Sequence, residues 1–177
     1  MLRGLARWID ALQEQVGRAV SWLMLALVVL VFGDVVLRYL FNTGAVFIQE
    51  FEWYLFGTIY LLAAGYTMLY NEHVRVDVVY AKLRPQSRAW LDFVLMFVFF
   101  FPSCLLVIYT SWPFVRNSWD ILEGSPDPGG IPARFLLKSM IIVGFALLAL
   151  QGVSQAIKSF YWAMGWEAPE TRPQEVR

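Results

Sequence analysis

The stretch FVLMFVFFFPSCLLVIYTSWPFV, residues 93–115, contains no charged side chain. A helix rises about 1.5 Å per residue, so about 20 apolar residues cross a hydrocarbon core of about 30 Å and satisfy every backbone amide within the segment. Three further stretches read the same way. Residues 53–70 are uncharged, residues 139–157 have Gln151 as their most polar side chain, and residues 19–41 are apolar until Asp34 and Arg38 near the far end. The expectation is an all-α membrane protein with four transmembrane helices, the third kinked at Pro102 and Pro113.

Composition points the same way. The chain has 177 residues, 59% hydrophobic and 16% charged, whereas a soluble domain is about half apolar and about a quarter charged. The apolar residues are gathered into runs, which defines one membrane domain over residues 19–162. A formal net charge of zero without a long basic block excludes an electrostatic partner such as nucleic acid. The single thiol, Cys104, can form neither an internal disulfide nor a Cys cluster for a metal, and reads as a small buried hydrophobe.

The flanks are read by periodicity and turn chemistry. In residues 1–18, Leu2, Leu5, Ile9, Leu12 and Val16 recur at helical spacing, with Arg3, Arg7, Asp10 and Glu14 elsewhere on the wheel. That pattern predicts an N-terminal amphipathic helix at the interface, or a cytosolic extension of the first span. No small-residue cleavage site follows the apolar run, which argues against a signal peptide. The polar, alternating HVRVD at 73–77 leads into a short interfacial helix expected between spans two and three. The loop GSPDPGGIP at 124–132 is dense in turn formers and belongs outside the hydrocarbon. Residues 163–177 read as a flexible tail.

Basic residues set the orientation. Arg3, Arg7, Arg18, Arg75, Lys82, Arg84, Arg88, Lys158, Arg172 and Arg177 fall on one side, against Arg38, Arg116, Arg134 and Lys138 on the other. Both termini are therefore expected in the cytoplasm.

Candidate functional residues are few. Asp34 and Arg38 stand at i and i+4 with the acid first, the favourable order for a helical ion pair. At about 15 residues into its span, or roughly 22 Å, Asp34 lies near the outer interface rather than the midplane. Glu50 and Glu52 precede span two, where the helix dipole favours acids, and they point to different faces. They are candidates for partner contact, as are His73, Arg75 and Asp77 near the inner surface. One histidine alone excludes paired-His haem ligation. No P-loop, dinucleotide turn, nucleophile elbow or His-Glu-x-x-His motif occurs, so no catalytic, cofactor-binding or metal-binding residue is assigned and the chain is not read as an enzyme.

Five motifs in order carry a family resemblance: DVVLRY at 34–39, QEFEW at 49–53, EHVRVD at 72–77, SPDPGGIP at 125–132 and GFALLALQG at 144–152. From about Arg18 to Trp162 the chain resembles the small DctQ-like membrane subunit of tripartite ATP-independent periplasmic (TRAP) transporters. Gln49 departs from the pattern, since many members have an acid there. The resemblance implies a bacterial or archaeal inner-membrane subunit that needs no cofactor. It would scaffold a large permease subunit during ion-gradient-driven import of a small organic-anion or polyol-like solute delivered by a periplasmic binding protein. Arg116, Asp120, Glu123 and Arg134, on the outer side, would then face that binding protein. The alternative is a small multidrug-type four-helix exporter acting as a homodimer. It requires a carboxylate near the middle of span one, and Asp34 is too close to the end.

Overall fold

A computed structural model describes residues 2–70 and 83–166. Within them the chain is all-helical: α1 Leu2–Phe41, α2 Val46–Leu69, α3 Pro85–Leu95, a π-helical segment Met96–Phe100, α4 Phe101–Asp120 and α5 Arg134–Ala163. Helix α5 is the hub, packing against α1, α2, α3 and α4, while α2 also lies along α1.

Among the described residues, three helices are long and apolar enough to cross a membrane: Leu2–Phe41, Gln86–Asp120 and Arg134–Ala163. The fourth expected span corresponds to α2. At 24 residues it has the length, but Glu50, Glu52, two glycines and several tyrosines make it less apolar. The physical reason is its place between α1 and α5, where small and hydrogen-bonding residues let helices approach closely.

Of the two forms expected of the N-terminal segment, a separate interfacial helix or an extension of the first span, the structure has the second. It continues without a break into the first span, giving a helix of 40 residues, about 60 Å long. The buried stripe is not the one expected from apolar spacing. Ala6, Ile9, Gln13, Gly17, Val20, Leu27 and Asp34 are buried, while Leu2 and Leu5 are exposed. These positions recur every three, four or seven residues, the period of one helix face. Val20, Leu27 and Ile59 form the buried core of the α1–α2 seam, flanked by Leu23, Leu55, Leu62 and Ala63. Helix α1 ends at Asn42, whose φ of 51° is the left-handed conformation that asparagine tolerates. The Thr43 amide and hydroxyl both donate to the Leu37 carbonyl at 3.3 Å.

The third span also departs from the expected outline. It begins at Pro85 rather than 93. Pro102 has no amide hydrogen for the carbonyl one turn earlier, and the turn before it opens into the π-helical segment. Pro113 stays within α4. The expected interfacial helix between spans two and three falls on residues 71–82, outside the described residues, and so does the tail from residue 167.

Three glycines set the helix spacing. The Gly17 Cα faces the Tyr66 ring, and Gly65 faces the Gln13 amide. A carbon added at Gly144 would lie 2.7 Å from the Leu61 carbonyl oxygen. Backbone cannot step aside as a side-chain tip can, so α2 and α5 must separate to admit anything larger. Gly144→Val is expected to cost about 1–3 kcal/mol in thermal unfolding of the purified chain. Gly33→Ala, where the added carbon meets nothing within 4 Å, should be neutral or stabilising by up to about 1 kcal/mol. Equal losses for the two variants would contradict this packing.

Candidate functional site

The polar side chains collect at two levels of the bundle. At the level near the start of α1, this helix is tied to α5. The Gln13 amide donates to the Leu147 carbonyl at 2.7 Å. Asp10 accepts from the Ser154 hydroxyl at 2.7 Å and from the Gln151 amide at 3.1 Å, and pairs with Lys158 at 2.8 Å. Ser154 also approaches the Ala6 carbonyl at 3.3 Å. Gln13, Gln151 and Ser154 are fully buried. On the α2 side, the Tyr70 hydroxyl donates to Glu14 at 2.6 Å, and Glu14 pairs with Arg18. None of these residues was among the candidate functional residues, although Gln151 stood out as the most polar side chain of its span. The signal was present as Asp10, Gln13 and Gly17, spaced three and four apart, which place polar and small residues along one stripe.

At the opposite level, Glu50 holds the loop between α4 and α5. Its carboxylate accepts from the Ser125 hydroxyl and from the Ile131 amide, the latter at 2.6 Å. The loop closes on itself: Ser125 N–H donates to the Ile131 carbonyl at 3.0 Å, and Arg134 N–H to the Glu123 carbonyl at 2.7 Å. Gly130 is needed for the close approach, because an added carbon would collide with both Ser125 and Glu50. Lys138 pairs with Glu123 and lies 4.1 Å from the Phe114 ring centroid. An open cavity of about 490 Å³ lies beside this pair, between α2, α4 and α5, with Gly57, Leu61, Leu137 and Ile141 among its lining.

Asp34 and Glu52 lie in the half of the α1–α2 seam nearer the connection between the two helices. Asp34 is buried, one of its oxygens bonded to the Arg38 guanidinium, which is about half exposed. The other oxygen of Asp34 and one oxygen of Glu52 are buried without a hydrogen-bond partner. Arg116 and Asp120, one turn apart on α4, are 3.9 Å apart and largely exposed. The structure thus brings Glu50, Glu123 and Arg134 to one loop base, sets Asp34, Arg38 and Glu52 beside the seam, and leaves Arg116 and Asp120 on the surface. His73, Arg75 and Asp77 lie outside the described residues.

Among the described residues, no acid–base pair is assembled around a nucleophile at either level; the polar groups join helix to helix and helix to loop. An all-helical membrane protein held together in this way is defined by its spans and its seams. Residues 27–161 match the tripartite ATP-independent periplasmic transporters, DctQ component. A chain named as a TRAP transporter small permease protein in Haemophilus influenzae is 32% identical over 151 residues, covering 85% of this chain and 89% of that one. The chain belongs to the DctQ family of TRAP transporter small permease subunits, a transporter family rather than an enzyme family.

The Glu50 clamp is sensitive to acid. The Ser125 hydroxyl, then the Ile131 amide, hold the Glu50 carboxyl below its ordinary value of 4.5. The Lys138 ammonium does the same for Glu123. A lowered folded-state value means the ionised form is favoured by folding, so the stabilisation is present above pH 4.5 and is lost as pH falls through the lowered value. The melting midpoint should therefore fall in acid. Glu50→Gln should melt lower at pH 7 and show a shallower acid dependence. An unchanged midpoint and slope in the variant would contradict the clamp.

Proposed function

We propose that this subunit is the fixed, non-catalytic scaffold of its transporter, holding a large permease subunit in the cytoplasmic membrane. That permease performs ion-gradient-driven import of a small organic-anion or polyol-like solute, brought by a periplasmic binding protein. In this reading α2 is the fourth crossing, and both termini face the cytoplasm in keeping with the distribution of basic residues. The supporting observation is where the polar groups are spent. Asp10, Gln13, Ser154 and Lys158 are bonded across the α1–α5 contact, which favours a rigid body over a carrier. Carriers commonly place broken helices and ion-binding carbonyls near the midplane. Here α1 and α5 run unbroken for 40 and 30 residues.

The proposed docking surface for the binding protein narrows to Arg116 and Asp120. Both are exposed at the outer end of α4, so their charges are available to a soluble partner. The Glu123 carboxylate is taken by Lys138, and Arg134 lends its backbone N–H to the loop while its charge lies near Glu50 and Glu123. Asp34 with Arg38 is proposed as a structural pair.

Reconstitution tests the scaffold directly. Liposomes holding this subunit, the large permease and the loaded binding protein should accumulate solute under an imposed ion gradient. Omitting this subunit should abolish uptake, and the subunit alone should transport nothing. Gradient-driven uptake by the subunit alone would refute the scaffold reading.

A further inference from the structure

The α1–α2 seam changes character along its length. Val20 and Leu27 of α1 meet Leu55, Ile59 and Leu62 of α2. One helical heptad beyond Leu27 the same face of α1 presents Asp34, and one turn before Leu55 the same face of α2 presents Glu52. Asp34 is 4% exposed, and each carboxylate has a buried oxygen with no hydrogen-bond partner. Arg38 engages Asp34 through its other oxygen. Two acids and one base leave this end of the seam short of a cation.

Beside it opens a groove of about 450 Å³, lined by Leu27, Val31, Glu52, Trp53 and Phe56. Glu52 is the charged group in that lining. The groove is flanked by apolar surface, with Trp53 73% and Phe56 60% exposed. An acid with an unpartnered buried oxygen, in an apolar groove at the outer end of a membrane bundle, is costly unless a cation completes it. The outward face of α4 makes the contrast. Leu105, Leu106 and Tyr109 are comparably exposed, but no charge stands among them, as suits lipid.

We propose that this groove is the seat of the large permease, receiving one of its transmembrane helices and a lysine or arginine from that helix at Glu52. The inference rests on the scaffold reading above and adds the face and the chemistry of contact. Apolar anchors from the incoming helix fill the space between Val31 and Phe56, in the manner of a helix laid into a groove. The cation fixes the register, because the acid cannot be satisfied if the helix slides by a turn.

The test uses the complex, isolated through a tag on the large permease. A photoreactive residue is placed at Phe56 in one version of this subunit and at Tyr109 in another. Phe56 should crosslink to the large permease and Tyr109 should not. Glu52→Gln should reduce recovery of this subunit about tenfold, as expected for losing one partner of a desolvated charge pair, with Glu52→Asp restoring most of it. The melting midpoint of the isolated Glu52→Gln subunit, if unchanged, assigns the loss to assembly; a collapse of that midpoint makes Glu52 a folding residue and overturns the cation contact. Crosslinking from Tyr109 instead of Phe56, in a complex that still forms, overturns the face while leaving the scaffold standing. Crosslinking from Phe56 to lipid or to a second copy overturns the partner. Full recovery of Glu52→Gln overturns the charge contact. If the unmodified subunit does not co-purify at all, the scaffold reading falls and this inference with it.

Discussion

The contact between α1 and α5 through Asp10 is the constraint on which the arrangement depends. One carboxylate accepts from Ser154 and Gln151 and pairs with Lys158, so three residues of α5 converge on a single side chain of α1. In a weakly polar surrounding, each such group left alone would cost on the order of 1–3 kcal/mol. Satisfying them together fixes both the rotation and the axial register of α1. Gln13, one turn further on, repeats the tie through the Leu147 carbonyl.

With that register set, the rest follows by close packing. Gly65 lets the Gln13 side chain lie against α2, and Gly17 admits the Tyr66 ring. The apolar seam of Val20, Leu27 and Ile59 carries the contact outward. Its outer end brings Asp34 and Glu52 beside an open groove. Glu50, two residues from Glu52 and on another face, reaches the loop before α5 instead. A short acidic stretch thus does two unlike jobs because successive helical positions point in different directions. Polar bonding at both levels favours a body that moves little.

Much of the fold was legible in the sequence, because uncharged runs of this length have few solutions in lipid. Residues 93–115 and 139–157 sit inside helices as expected. Asp34 with Arg38 was legible too, since i and i+4 on a helix are neighbours whatever the tertiary fold. The role of Glu50 was not: its donors lie 75 and 81 residues away, and no local pattern encodes that distance. The N-terminal helix takes one of its two expected forms, an extension of the first span, but only part of its buried face was legible. Apolar spacing selected Leu2, Leu5, Ile9, Leu12 and Val16, whereas the buried face includes Gln13 and Gly17 and leaves Leu2 and Leu5 exposed. A wheel scored by hydrophobicity misses a face held by hydrogen bonds and small residues.

The central claim is that residues 6–20 of α1 belong to the rigid bundle and not to a peripheral arm on the membrane surface. Amide hydrogen exchange of the purified subunit in a lipid nanodisc addresses this most directly. The account predicts that residues 6–20 exchange as slowly as residues 144–159 of α5, and that Asp10→Ala accelerates both together. Fast exchange over residues 6–20 in the unmodified chain, with α5 still protected, would contradict it.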